Sequence, residues 1–216
     1  MPSVEGLRTA DLVDAIGRLH RHRCHLLDLV SPTPGRVLFG PAVTISYHPS
    51  CSAGLDPDTY NLANLFYEAV GEEPEGKVVV LASNGYPEVS MGGGTKLSRL
   101  QDHGCAGVLT DGRLRDFETL AGYDFVAYCS GEATKWGGGE VTPFLANVPV
   151  VVKRVGIMPG QYVFADPSGA VVFPVDQLEE VIEGARAVQA EDAGYREDIR
   201  REELPKKRRS LWGRGR

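Results

Sequence analysis

A glycine run followed by an arginine–aspartate pair is the strongest candidate for chemistry in this sequence. The run ends where a helical pattern begins, and the pair follows the next apolar strand. The residues concerned are Gly92, Gly93, Gly94, Thr95, Lys96, Arg115 and Asp116. Free N–H groups at the start of a helix suit an anion, and glycine lets it approach the backbone. Arg115 suits a carboxylate, which it can hold with two parallel hydrogen bonds, and Asp116 suits a hard cation.

The same residues also fit a purely structural interpretation. Asp116 would then cap a short helix, Arg115 would be an exposed surface charge, and the glycines would relieve crowding. Lys96 offers a similar choice, because a lysine can form a Schiff base with a carbonyl substrate or simply face an anion or a salt-bridge partner. Spacing alone favours the structural role for the pair and the anion-facing or salt-bridged role for Lys96.

Two further clusters contain residue types that are common in functional sites. The segment from His20 to His25 is rich in histidine, but histidines two residues apart do not share a helix face, and no second ligand group has matching spacing. We therefore interpret it as the cationic end of a surface helix. Trp136 precedes a second glycine run, residues 137–139. That run predicts a mobile loop, with a position beside a site as the alternative.

The elements that must position these residues alternate between helix and strand patterns. Helices are predicted over residues 10–19 (capped by Thr9), 58–70, 95–103, 117–121 and 176–193, and strands over 37–47 (bent at Gly40-Pro41), 77–82, 106–110, 125–128, 148–153, 162–165 and 170–173. The pattern predicts an α/β or α+β fold with a strand-rich second half. If helix 95–103 and strand 106–110 form one unit, the glycine run and the pair meet at one sheet edge, where ligands of such sheets bind.

Length and charge indicate one compact domain with a separate tail. We assign residues 1–193 to the domain and residues 194–216 to a charged, flexible C-terminal tail. The net charge of −6 argues against nucleic-acid binding by the body, although the basic stretch 205–216 leaves that role open for the tail. No signal peptide or membrane span is recognisable, so we expect a cytoplasmic protein. We expect the four cysteines to be reduced and to serve packing.

Three blocks of the sequence resemble the RraA-like family, which includes 4-hydroxy-4-methyl-2-oxoglutarate aldolases and regulators of ribonuclease E activity. Residues 92–116 are similar to the family's glycine loop, helix, Gly-x-x-Gly strand and Asp-Gly-x-x-Arg-Asp turn. Residues 155–174 are similar to its Pro-Gly-Asp … Ala-Asp-x-x-Gly-Val-Val-Val-Pro ending, and residues 9–15 and 38–44 to its start. The blocks follow the family's order and cover most of residues 9–190.

The resemblance implies a swivelling β/β/α domain, related to phosphohistidine domains, that forms a homotrimer or hexamer with sites at subunit interfaces. It also implies a lyase that depends on Mg²⁺ or Mn²⁺ and cleaves a carbon–carbon bond next to a small 2-oxo acid. Such a lyase would act as a 4-hydroxy-2-oxo acid aldolase and an oxaloacetate decarboxylase, through a pyruvate enolate. Pyruvate would lie against the glycine-loop amides and Arg115, and Asp116 would help to hold the metal ion through water.

One position departs from the family's aldolases. Counting back from Arg115, the aspartate that those aldolases carry at the helix start is Gly94 here. Either the ion binds more weakly, or another acid replaces that aspartate, and Glu88 and Glu118 are the nearest candidates in sequence.

Two alternative functions therefore remain open beside the aldolase. Thr95 and Lys96 make the anion pocket more polar and more cationic, which favours related enolate chemistry on a pathway-specific substrate. Gly94 and the basic tail favour instead a non-catalytic regulator that binds a ribonuclease or another protein partner.

Overall fold

The structure, a computed structural model, describes residues 2–20, 23–51 and 54–202. Its helices are α1 Thr9–Leu19, α2 Leu62–Val70, α3 Gly94–Asp102, α4 Phe117–Ala121 and α5 Leu178–Arg201. Its strands are β1 His25–Leu26, β2 Leu38–Pro49, β3 Val78–Ala82, β4 Ser90–Gly92, β5 Gly107–Thr110, β6 Arg113–Leu114, β7 Val126–Tyr128, β8 Val141–Ala146, β9 Val150–Val152, β10 Val155–Ile157, β11 Tyr162–Asp166 and β12 Gly169–Phe173.

Most strands join one mixed sheet, in the order β1-β12-β11-β2-β3-β5-β7, with β8 also paired to β2. Strands β2, β3, β5 and β7 run parallel, whereas β11, β12 and β1 continue the sheet in antiparallel pairs on the other side of β2. Every residue of β3 and β5 is buried, as expected for apolar strands covered on both faces. The chain is therefore an α/β protein with a strand-rich second half, as the sequence predicted.

The apolar core lies on both faces of this sheet. Along β3, Val79 and Leu81 join a cluster under α2 and α3, whereas Val78 and Val80 join a cluster on the opposite face, which includes the β9–β10 hairpin. A third cluster lies between α1, α5 and the strands β11 and β12. None of the helices described is both long and apolar enough to cross a membrane.

Strand β2 continues through the predicted bend at Gly40-Pro41. Pro41 pairs in register with Tyr162 of β11. Gly40 is required for a different reason, since a Cβ atom there would collide with the carbonyl oxygen of Gly76. This glycine marks a close approach of two backbone segments.

Helix α1 begins at Thr9, so the prediction that Thr9 is its cap is wrong. Asp11 accepts a hydrogen bond from the N–H of Arg8 at 2.9 Å, and Oδ2 of Asp166 accepts one from the N–H of Thr9 at 2.8 Å. The orphan N–H groups of the first turn are thus satisfied partly by a carboxylate far away in sequence.

The ends of α2 and α5 also differ from the predicted ones. Helix α2 begins at Leu62 rather than at residue 58, because the side chain of Asn61 caps it by accepting the N–H of Asn64 at 3.0 Å. Helix α5 continues to Arg201, beyond the predicted end at residue 193, and its side chains are exposed from residue 190 onward. The division into domain and tail stays a prediction, and the basic stretch 205–216 lies outside the described residues.

Candidate active site

One cleft brings the glycine run and the arginine–aspartate pair together. It has a volume of about 500 Å³ and opens at the start of α3, against the region before α2 and the beginning of β8. Six of the seven predicted residues line it, namely Gly92, Gly93, Thr95, Lys96, Arg115 and Asp116. The seventh, Gly94, is buried just behind the lining.

The short parallel strands β4 and β6, which the sequence did not predict, create this arrangement. Ser90 pairs with Arg113, and Gly92 pairs with Leu114. The N–H of Arg115 then donates to the carbonyl oxygen of Gly92 at 2.9 Å. Because the glycine run follows β4 and the arginine–aspartate pair follows β6, pairing of the two strands brings both motifs to one edge.

A buried tyrosine fixes the backbone in front of the glycine run. The Tyr47 hydroxyl donates to the carbonyl oxygen of Met91 at 2.8 Å, and Oγ of Ser90 donates to that of Gly92 at 2.8 Å. Burial raises the pKa of Tyr47 far above its ordinary value, so the hydroxyl stays protonated and continues to donate. Side chains of β2 and β4 thus hold the loop that carries the anion-binding N–H groups.

The side chain of Asp116 caps helix α3 and not α4, the helix that Asp116 directly precedes. Its backbone is left-handed, with φ 62° and ψ 46°, and its Oδ2 accepts the N–H of Gly94 at 3.0 Å. The first N–H of α4, from Phe117, is bound instead by Oε1 of Glu132 at 3.0 Å. Asp116 is thus the N-cap residue of α4, as the structural interpretation predicted, but its side chain makes no capping hydrogen bond to that helix. Sequence analysis missed Glu132, because no local pattern connects it with that helix.

The two cations of the cleft have no protein partner among the described residues. Arg115 is half-buried and Lys96 is exposed, and neither side chain makes a hydrogen bond or an ion pair there. The N–H groups of Thr95 and Lys96 lie in the first turn of α3 and have no intrahelical partner. Unpaired cations and free N–H groups in one place are chemically suited to a small anion.

No second carboxylate joins Asp116 among the described residues that line the cleft. Glu88 and Glu118, the candidate replacements for the aspartate absent at position 94, are exposed and lie outside it. The space for a side chain at position 94 is already filled, because a Cβ on Gly94 would lie 2.6 Å from Cγ2 of Thr119. Elsewhere in the described ranges, no three His, Cys, Asp or Glu side chains are grouped as metal ligands.

One histidine of the segment from His20 to His25 makes a contact that links two helices. Nε2 of His20 lies 2.7 Å from Oε1 of Gln177, which ties the end of α1 to the turn before α5. His25 lies in the short edge strand β1, and His22 falls outside the described residues. His20 therefore lies at the end of a helix as predicted, whereas His25 belongs to a strand.

The second glycine run lies beside the site, which was the alternative interpretation of this segment. Residues 137–139 form a 3₁₀ turn, and Trp136, Gly137 and Gly138 line the cleft. Hydrogen bonds anchor the segment at both ends, from the N–H of Ser90 to the carbonyl of Lys135 and from the N–H of Ser50 to that of Glu140, at 3.1 and 2.8 Å. The turn is therefore fixed to the protein at both ends and forms part of the cleft wall.

All four cysteines are free thiols, as predicted. Cys24, Cys105 and Cys129 are buried, and burial raises their pKa values, to about 11 for the last two. Thiols of this kind are protonated at neutral pH and unreactive. Cys51 is exposed, so the predicted packing role is wrong for that residue.

The fold and the cleft together define an α/β protein with a cleft that contains two cationic side chains at a helix start. The sequence profile of the RraA-like family, described as Aldolase/RraA, matches residues 9–172. The chain belongs to the RraA-like family.

Three relatives illustrate the sequence similarity, and each shares only part of its length with this chain. DlpA of Legionella pneumophila is 27% identical over 164 residues, which are 76% of this chain and 26% of that protein. A Halalkalibacterium halodurans protein, provisionally named a 4-hydroxy-4-methyl-2-oxoglutarate aldolase, is 32% identical over 136 residues, 61% of each chain. The Thermus thermophilus enzyme of that name is 30% identical over 114 residues, 51% of this chain and 66% of the enzyme. The chain thus spans less than two thirds of the length of each of these three relatives.

Solved structures resemble the chain over nearly its whole length. An uncharacterised protein from Pseudomonas syringae has a TM-score of 0.75 and 25% identity, over 93% of this chain and 92% of that one. RraAS2 of Streptomyces coelicolor, described as an unusual member of the RraA family of RNase ES inhibitors, has a TM-score of 0.73 and 24% identity, over 91% and 92%. These similarities confirm the RraA-like fold.

Restoring an aspartate at position 94 is expected to destabilise this protein. In Gly94→Asp the new Cβ overlaps Thr119, and such overpacking lowers the free energy of unfolding by about 1–3 kcal/mol. Thr119→Ala removes the nearest methyl group, so the double variant should recover most of that loss in urea denaturation. Gly139→Asp is the control, because nothing lies within 4 Å of a Cβ there. Equal losses at positions 94 and 139 would contradict this explanation.

Proposed function

We propose that this protein is a divalent-metal-dependent lyase that cleaves a carbon–carbon bond next to a 2-oxo acid. One observation carries the proposal: two unpartnered cations, free N–H groups of α3 and the Asp116 carboxylate share one cleft. Membership of a family described as Aldolase/RraA, and the names of the Thermus and Halalkalibacterium relatives, support the same reaction class.

In this proposal, the charged residues of the cleft determine the orientation in which the substrate binds. Arg115 binds the carboxylate of the 2-oxo acid, and the N–H groups of Thr95 and Lys96 donate to its oxygens. Lys96 adds a second positive charge at the same end, so it acts as an anion-facing group in this proposal. A 4-hydroxy-2-oxo acid held in this way breaks between C3 and C4, yielding pyruvate and a carbonyl compound. Oxaloacetate loses carbon dioxide by cleavage of the equivalent bond.

The residues present fit a weakly held divalent cation. Oδ2 of Asp116 is bound by the N–H of Gly94, whereas Oδ1 has no hydrogen-bond partner in the described part of the chain. Mg²⁺ commonly keeps several waters and takes one or two carboxylates plus groups of the substrate. When bound, Mg²⁺ or Mn²⁺ supplies Lewis-acid stabilisation of the enolate oxygen. The cation also offsets repulsion between the Asp116 carboxylate and an anionic substrate.

The experiment is a coupled assay of pyruvate release with Mg²⁺ and again with EDTA. We expect release from oxaloacetate or from at least one member of a panel of 4-hydroxy-2-oxo acids that includes 4-hydroxy-4-methyl-2-oxoglutarate. EDTA should abolish it, and added Mg²⁺ should restore it. A folded protein that releases no pyruvate from any of these compounds would overturn the proposal.

One observation favours a second candidate, a non-catalytic binding protein. Thr119 occupies the space of the acid that the resembling aldolases carry at position 94, which leaves Asp116 as the one carboxylate among the described residues that line the cleft. Absence of turnover together with capture of a specific protein or RNA partner by the full chain would support that candidate. Assembly as a homotrimer or hexamer and a cytoplasmic location stay predictions from the resemblance and the sequence.

A further inference from the structure

The lining of the cleft has a charged part and an apolar part, and we propose that the apolar part binds an uncharged aromatic group carried by the substrate. The proposal names the substrate class of the site above and rests on the proposed function for the 2-oxo acid part. Substrates would be 2-oxo acids with an aromatic ring beyond C3, rather than acids with a second carboxylate.

The charged side chains of the cleft lining come from two segments, the first turn of α3 and the turn before α4. Among the described residues that line it, the charged side chains are those of Lys96, Arg115 and Asp116, which surround the glycine loop. A second carboxylate against the apolar part would gain no cation from the other described lining residues, and any hydration that it lost there would be costly.

Asn61 and Thr142, two polar side chains of the apolar part, are already bonded within the protein, whereas the Tyr60 hydroxyl has no hydrogen-bond partner in the described part of the chain. The Asn61 amide donates to the carbonyl oxygens of Pro57 and Asp58, and its oxygen caps α2. Oγ1 of Thr142 lies 3.1 Å from Oγ of Ser50. The surface left for a ligand is therefore mainly apolar, supplied by Leu55, Pro57, Tyr60, Trp136 and Pro143.

The two aromatic side chains of this surface are held in place before any ligand arrives. The Tyr60 ring packs on Phe144 with ring centroids 5.6 Å apart, and Phe144 packs on His48 at 5.2 Å. The Trp136 indole rests against Gly138, where a Cβ atom would collide with the ring. Trp136 is nevertheless 65% exposed, so a large flat apolar surface is available at the cleft, and planar rings stack well on such a surface.

The size of the cleft agrees with a substrate larger than pyruvate. Its volume of about 500 Å³ falls within the range of roughly 300–1,000 Å³ that is typical of pockets for drug-sized ligands. Pyruvate bound at the glycine loop would leave the apolar part of the cleft empty.

Calorimetric titration in the presence of Mg²⁺ tests the proposal with acids that lack a 4-hydroxyl group and cannot undergo the aldol cleavage. We expect 4-phenyl-2-oxobutanoate to bind roughly tenfold more tightly than 2-oxoglutarate, because one ring is buried and stacked. Gly138→Ala should remove most of this preference by displacing the indole. Gly139→Ala should keep it, because a methyl group there meets nothing within 4 Å.

Three outcomes would overturn the proposal: binding of neither acid, binding of 2-oxoglutarate at least as tight as that of the phenyl compound, or equal losses in the two alanine variants. Turnover of 4-hydroxy-2-oxo-4-phenylbutanoate is then compared with that of 4-hydroxy-4-methyl-2-oxoglutarate. Tight binding of the phenyl acid without pyruvate release from any substrate would leave the ligand class standing while the lyase proposal fails.

Discussion

Replacing Arg115 by alanine is expected to lower kcat/KM for pyruvate release by about a thousandfold, or roughly 4 kcal/mol of lost transition-state binding. The Arg115 guanidinium lines the cleft and has no partner among the described residues. Its positive charge is therefore available to the substrate carboxylate. For the same reason its removal should leave the midpoint of urea unfolding unchanged, so activity and stability separate in this variant.

Arg99→Ala is the matched control for the loss of a positive charge. Arg99 lies on the same helix as the anion site, and its guanidinium donates to the carbonyl oxygen of Lys96 at 3.1 Å. Its side chain is not part of the cleft lining. We expect kcat/KM within about twofold of wild type for Arg99→Ala, since surface substitutions away from a site have small effects. Comparable losses in both variants would mean that Arg115 acts through the general electrostatic field and not by direct contact.

Replacing Asp116 by asparagine is expected to lower metal-dependent turnover by roughly a hundredfold, the scale on which disturbed metal coordination acts. Asparagine tolerates the left-handed backbone at this position, and its side-chain oxygen can still accept the N–H of Gly94. The fold and the cap of α3 should therefore survive while the negative charge is lost. The readouts are the Mg²⁺ concentration for half-maximal activity, which should rise, and the thermal unfolding midpoint, which should stay near that of wild type.

Glu118→Gln removes a negative charge from a nearby side chain that does not line the cleft. This control should keep both the activity and the Mg²⁺ requirement. If Glu118→Gln shifts the metal requirement as strongly as Asp116→Asn does, the assignment of the metal to Asp116 is wrong. An unchanged Mg²⁺ requirement in Asp116→Asn would contradict it as well.

The sequence predicted the fold best where an element is defined by its own residues. The runs that became β3 and β5 are apolar throughout, and both strands are fully buried in the parallel part of the sheet. Strands β4 and β6 were missed, because they are two or three residues long and exist only through pairing with each other. The start of α1 was wrong for a related reason, since Asp166 satisfies its first N–H from the far end of the chain.

The residues of the candidate site also fall into two groups, those that the sequence alone indicates and those that only the packing reveals. The glycine run and the arginine–aspartate pair were found because type and spacing alone indicate anion and cation chemistry. Thr119 was not found, because its effect on position 94 depends on how α3 and α4 pack. Tyr60 and Trp136 come to one cleft from separate parts of the chain, and neither has a local pattern that marks it as a wall of the site.

The two helices that flank the anion site are capped by carboxylates from outside themselves. Asp116 binds the first N–H of α3, and Glu132 binds the first N–H of α4. The start of α3 thus depends on the turn before α4, which in turn depends on the segment after β7. These stretches should open and close as one cooperative unit. A glycine loop held in this way cannot be assembled early in folding from its own neighbours, and it becomes complete only when the chain up to residue 132 has docked.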